Sequence, residues 1–189
     1  MVQSRLSAAP VCKIDRPDPR LEECRMIKPM KSCGSVNIAT VAEILDRELH
    51  PLIEAWLVRV EKESDLTHIP LTHDERTEHL PHLLHDVINC LRMDAGTKAP
   101  ISKTAGEHGD LRRKQGYTVA MMVEESRLLQ VSIFTTLHEN VKRLEFSALL
   151  PDVVTIADEV DAQLKEQVLR FMAPDAAEKA KPNEHVLGA

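Results

Sequence analysis

Between residues 37 and 172 the apolar residues recur every three or four positions, and no stretch shows the alternating rhythm of a strand. The first stripe is Ile38, Val41, Leu45, Leu49, Leu52, Ile53, Trp56, Leu57 and Val60. It predicts a helix over about 37–62, capped by Asn37 and kinked at Pro51, which has no N–H to give. The second helix opens on the capping box "THDE", Thr72 to Glu75, and carries the stripe Leu80, Leu83, Leu84, Val87, Ile88 and Leu91. Pro81 either bends it or splits off its first turn. A third helix is expected over about 101–115, with Gly116 as its stop. A fourth runs from Thr118 to about Val141. Its apolar residues point nearly all round, which predicts an enclosed central element. The fifth covers about 151–172, with Val153, Ala157, Val160, Leu164, Val168 and Phe171 as its inner stripe. The pattern is that of an all-α bundle of about five helices over 37–173. An N-terminal tail, 1–36, precedes it; a short helix over 21–30 competes there with disorder. A polar tail, 174–189, follows.

Composition agrees. Hydrophobic residues make up 43% of the 189 residues, aromatics only 3%, and there are 6 glycines, so the core is aliphatic and helices are favoured over a sandwich or barrel. The formal net charge is −6. Arg112-Arg113-Lys114 is the one basic cluster, and there is no aromatic stacking platform, so no nucleic-acid partner is expected. No run of about 18 apolar residues exists to span a membrane. The first 20 residues lack the apolar core of a signal peptide, which makes a cytoplasmic location the default. The four cysteines, Cys12, Cys24, Cys33 and Cys90, are irregularly spaced without a C-x-x-C pair and read as reduced thiols.

Two clusters carry candidate chemistry. His79, His82 and His85 form H-x-x-H-x-x-H, which suggests a metal, with Asp86 one turn beyond His82. A helix spreads three such imidazoles over about 120°, so only neighbouring pairs can share an ion. All of them fall opposite the leucine stripe, where a solvated face is the simpler expectation. The other cluster is "EHGDLRRKQGYT", Glu107 to Thr118, a polar stretch where a bundle should bury leucines. Ile101, Ala105, His108 and Arg112 share one helical stripe, so His108 and Arg112 are expected to point inward. A buried guanidinium needs an anion. Glu124 and Glu125, beside Ser126 and Arg127, interrupt the apolar surface of the fourth helix, and an Arg112–Glu125 pair is the expected match. Such a network either orients helices or lines a ligand-sensing pocket. Neither a Ser/His/Asp nor a Cys/His pairing, nor a phosphate-binding glycine loop, points to catalysis.

Taken in order, "AWLVRV" (Ala55 to Val60), "LTHDERTEHLPHLLHDVINCL" (Leu71 to Leu91) and "AGEHGDLRRKQGYTVAMMVEESRLLQ" (Ala105 to Gln130), followed by an amphipathic helix, resemble the N-terminal domain of bacterial RsbT co-antagonist proteins of the RsbRD type. The resemblance spans about 41–172. It rests on Trp56, on Leu80-Pro81 with Leu83-Leu84, on His108-Gly109 and on one of Arg112 and Arg113. Gly116-Tyr117 and Glu125 with Arg127-Leu128-Leu129 complete it. Ser126 departs from the tyrosine the family often places after the glutamate. The resemblance implies a non-enzymatic sensory or regulatory input domain of stress signalling, related to globin-like helical sensors but with no haem or other cofactor. Its polar-network or ligand residues would be His108, Arg112, Tyr117, Glu125 and Arg127. Family domains usually feed an output module, whereas 17 residues follow Met172 here. A lone input domain would signal through a protein partner or as a homodimer, with or without a small-molecule ligand. A histidine phosphotransfer module centred on His108, and a metal protein using His79, His82 and Asp86, are the competing expectations.

Overall fold

Proline sets the first break in the helices. The ring of Pro51 collides with the carbonyl four residues back, at Arg47. The structure, a computed structural model describing residues 38–93, 97 and 100–173, ends α1 (Val41–Arg47) at that residue and restarts as α2 (Leu49–Val60). Glu48 alone separates them, and its carbonyl accepts from the Leu52 amide at 2.9 Å. The expected kink at Pro51 is therefore a break just ahead of it. The start also differs. Thr40 caps α1 through a reciprocal box with Glu43, and Ile38 precedes the helix and is exposed. Asn37, the expected cap, lies outside the described residues, as do both tails with the 21–30 helix, Cys12, Cys24 and Cys33. All described residues belong to the unit that begins at Asn37.

A short α3 (Ser64–Thr67), which the apolar pattern did not signal, buries Leu66. Pro81 then divides the second helical region. α4 (His73–Thr77) opens on the Thr72–Glu75 capping box, and α5 (Leu80–Leu91) carries Pro81 in its first turn, where no intrahelical donor is needed. α6 (Lys103–Lys114) is capped by Ser102 and ends at Gly116, whose φ of +84° suits only glycine without strain. Thr118 caps α7 (Val119–Glu139); a 3-10 turn, Val141–Arg143, leads to α8 (Phe146–Met172). Apart from an isolated bridge between Ala39 and Leu144, the described residues contain no β-structure. No helix among them is long and apolar enough to cross a membrane.

The aliphatic core gathers Ile44, Trp56, Ile88, Met122, Ile133 and Ile156 from α1, α2, α5, α7 and α8. Two faces depart from expectation. α7 is not enclosed all round: Val123 is 45% exposed. Its buried side includes Ser132 and Thr136, whose hydroxyls donate to the carbonyls of Leu128 and Ser132 and so need no other partner. On α8 only Val160 of the expected stripe is fully buried, and the inner face instead carries Ile156, Glu159, Gln163 and Gln167. A Cβ at Gly109 of α6 would sit 2.2 Å from the Gln167 carbonyl oxygen, so the two backbones meet there. Gln167 lies at that contact. Gln163 satisfies itself by donating to the Leu83 carbonyl at 3.1 Å and to Glu159 at 3.0 Å.

Candidate functional site

α6 presents Ala105, His108 and Arg112 to the interior, one helical turn apart, as the stripe predicts; Ile101 precedes the helix and is exposed. Arg112 is 0% exposed and His108 4%. From α7, Glu125 meets them at 5% exposure. Arg112 Nε donates to Glu125 Oε2 at 3.0 Å, the expected pair. Nη1 donates to Gln115 Oε1 at 2.7 Å and to the Glu75 carbonyl at 3.2 Å, and Nη2 to the Arg76 carbonyl at 3.2 Å. The second carboxylate oxygen of Glu125 accepts from the Tyr117 hydroxyl at 2.8 Å. Arg76 Nη1 donates to that hydroxyl at 3.1 Å, and its Nη2 serves the carbonyls of Leu66 and Ile69. The Arg112 guanidinium also lies over the Tyr117 ring, 4.8 Å from its centroid. Trp56 Nε1 closes the cluster by donating to the Glu125 backbone carbonyl at 3.2 Å.

The electrostatics follow from burial and pairing. Burial alone would push the Glu125 carboxyl up; His108, Arg112 and the Tyr117 hydroxyl outweigh it and hold the group below its ordinary value. Burial, with the Glu125 charge beside it, pushes the Tyr117 phenol up to about 12. Glu125 therefore stays ionised and Tyr117 stays a hydrogen-bond donor across the physiological range.

His79 corrects the expected solvated face. It is 8% exposed and stacks on His108, ring centroids 3.6 Å apart and planes 25° off parallel. Helical phase is the reason: His79 lies one turn before the buried Leu83, whose amide donates to the His79 carbonyl at 3.2 Å, whereas His82 and His85 fall on the far side of α5 and remain exposed. Asp86 accepts from the Ser102 hydroxyl at 2.6 Å. His79, His82 and Asp86 do not converge, and among the described residues no group of three or more His, Cys, Asp or Glu side chains is placed to hold a metal ion. Arg127, expected in the network, is instead 53% exposed on its side chain and pairs with Glu124 and, at 3.9 Å, with Glu63. Arg113 turns to the rim, toward Asp110 and the Ala173 carbonyl. Of the two arginines, Arg112 is the inward one.

Two buried atoms in the site lack a partner: Nδ1 of His79 and Nδ1 of His108. Burial, followed by the charge of Arg112, outweighs the contact with Glu125 and lowers the basicity of His108, whose Nε2 faces Glu125 Oε2 at 3.6 Å. His79 is held well below its ordinary value by burial, then by His108 and Arg112. Both rings are thus neutral at neutral pH. A cavity of about 20 Å³, room for one water, touches both rings together with Trp56, Glu125, Ser126 and Gln163. Ser126, where the resembling family often has tyrosine, is part of that lining.

No protein-family model, curated protein or solved structure matches the chain. The functional reading therefore rests on the site and on the sequence resemblance. Arg76, His79 and the α8 glutamines escaped the sequence reading. Arg76 sits in a charged run, "HDERTE", that reads as surface, and the signal for His79 was its place four residues before Leu83 of the leucine stripe.

Proposed function

We propose that the chain is a non-enzymatic, cytoplasmic signal-transduction input domain of the RsbRD type. One observation carries this reading: the residues on which the resemblance rests meet at one place. Trp56, His108, Arg112, Tyr117 and Glu125 form a single buried contact network, and Gly109 brings α8 against it. A network of ionised groups in an aliphatic bundle is sensitive to small displacements, because each lost partner leaves a buried charge exposed to a low dielectric. The longest helix, α8, lies directly against α6 and delivers such a displacement outward to a protein partner. A histidine phosphotransfer role for His108 is disfavoured by its burial, since a phosphoryl donor must reach the imidazole.

The test is genetic. Deleting the gene in its source organism and following transcripts under acid, salt and heat stress is expected to remove one stress-induced set. Wild-type chain should restore it, and a folded Glu125→Gln variant should restore it poorly. A transcript response unchanged by the deletion in every condition refutes the reading.

A further inference from the structure

The stacked histidines stand between two spaces. One is the water-sized cavity beside Glu125. The other is an open groove of about 410 Å³, whose polar lining besides the two rings is Glu78, His82, Thr104 and Glu107. No lysine or arginine among the described residues lines that groove; Lys103 pairs with Glu107 at 3.2 Å from a side chain 90% exposed.

We propose that the His79–His108 pair is the input element of the domain and that its ligand is the proton. On acidification a proton from solvent binds His79, the stack parts, and the charged ring swings into the groove toward Glu78 and Glu107. This deepens the input-domain reading and rests on it.

The two positions suit the two protonation states. Inside, a neutral His79 lies flat on His108. A charged ring there would face the Arg112 cation, and the one carboxylate within the network, Glu125, is already engaged by Arg112 and Tyr117. Arg76 adds a second buried cation on the Tyr117 side. From α8 the inner cavity receives the uncharged Gln163 and Gln167, while its charged Glu166 and Arg170 face α6 at Gly106. Outside, the groove offers two carboxylates, Glu78 and Glu107. His79 is the ring free to move, because it lies in the α4–α5 turn, whereas His108 sits in the middle of α6. Its burial against Arg112 and His108 depresses its proton affinity, so uptake falls below about pH 6.5, the ordinary imidazole range. The route outward is short. Leu83, in the first turn of α5 beyond His79, ties to α8 through the Gln163 amide at 3.1 Å.

Trp56, the only tryptophan of the chain, lines the cavity and reports on it. Its fluorescence in the full chain, titrated from about pH 7.5 to about pH 5, is expected to shift reversibly while far-UV circular dichroism stays constant. His79→Phe, which keeps a neutral stacked ring, should abolish the shift. The Glu78→Gln/Glu107→Gln double variant, which leaves the interior untouched, should move the midpoint to lower pH without changing the neutral-pH spectrum. A flat wild-type titration overturns the proposal. So does a shift that survives His79→Phe, one that coincides with loss of helicity, or a midpoint unmoved in the double variant. These outcomes leave the transcript experiment unaffected, so a failed switch and a failed input-domain reading are told apart.

Discussion

Arg112→Met tests the central ion pair directly. Methionine roughly matches the arginine stem and removes the guanidinium, which donates to Glu125, Gln115 and the carbonyls of Glu75 and Arg76. Breaking one side of a buried pair costs about 3–5 kcal/mol, because the surviving charge is left without compensation. Each abandoned carbonyl adds about 1 kcal/mol unless water reaches it. Against the roughly 5–15 kcal/mol that holds a typical domain together, the loss is large. Glu125 limits it, since the carboxyl keeps the Tyr117 hydroxyl and can take up a proton. That escape sets the pH dependence. In the variant the folded-state pKa of Glu125 rises above its unfolded value, so the deficit is smallest below about pH 4.3 and grows as pH rises through the new folded pKa. Urea unfolding followed by circular dichroism at several pH values measures it. Arg112→Met/Glu125→Leu should recover part of the loss, because both charges are then gone. A single-variant cost under about 1 kcal/mol, or a double variant no better than the single, refutes the account.

The two interior glycines of α6 should behave oppositely. Gly109→Ala would place a methyl 2.2 Å from the Gln167 carbonyl oxygen and 2.9 Å from its Cα, so a thermal melt should show destabilisation of about 1–3 kcal/mol or more. At Gly106 the nearest atom is the flexible Arg170 Cγ at 3.2 Å, so alanine should be near neutral or stabilise by up to about 1 kcal/mol through helix propensity. Tyr117 is the only tyrosine in the chain, so its phenolate absorbance should rise near pH 12 in the folded state. The raised pKa means stability that is intact below about pH 10 and lost as pH rises from there toward the folded value. A phenolate appearing near pH 10 in folded protein would contradict the burial of the hydroxyl against Glu125.

The all-α architecture was legible because helical periodicity is a local property, and so were three of the caps. Thr72 with Glu75, Gly116 and Thr118 act as read, and the division at Pro81 was one of two stated outcomes. The Arg112–Glu125 pair was legible for a different reason: an arginine on an inner stripe must find an anion, and few interrupt the apolar surface of α7. What failed depended on phase and on contact between helices. The stripe of α8 was assigned to its most hydrophobic face, yet Gln163 and Gln167 turn inward, and Gln167 lies where Gly109 lets α6 approach the α8 backbone. His79 was grouped with His82 and His85 by spacing, although at four residues before Leu83 it points toward the leucine stripe. Arg127 was grouped with Glu125 by adjacency, although two residues along a helix point about 200° apart.

The proline breaks and the buried guanidiniums have a common cause. Pro81 has no N–H for the Thr77 carbonyl four residues back, and α4 ends there, short of the amides four residues beyond Glu75 and Arg76. Arg112 donates to the carbonyls of those two residues, Glu75 and Arg76. Arg76 donates to Leu66 in α3 and to Ile69 just beyond it. Buried carbonyls must be paired, and a guanidinium with five donors can pair several at once. A leucine in place of Arg112 would fill the volume and leave that backbone unserved. The guanidinium in turn brings a charge into the core, which Glu125 balances, and Tyr117 occupies the carboxylate oxygen left over. The polar demand of the site thus originates in a broken helix. Any movement of the α4–α5 turn disturbs the carbonyls that Arg112 serves, and through Arg112 the charge on Glu125. His79 sits in that turn, which is why protonation of one ring there can be felt by the whole network.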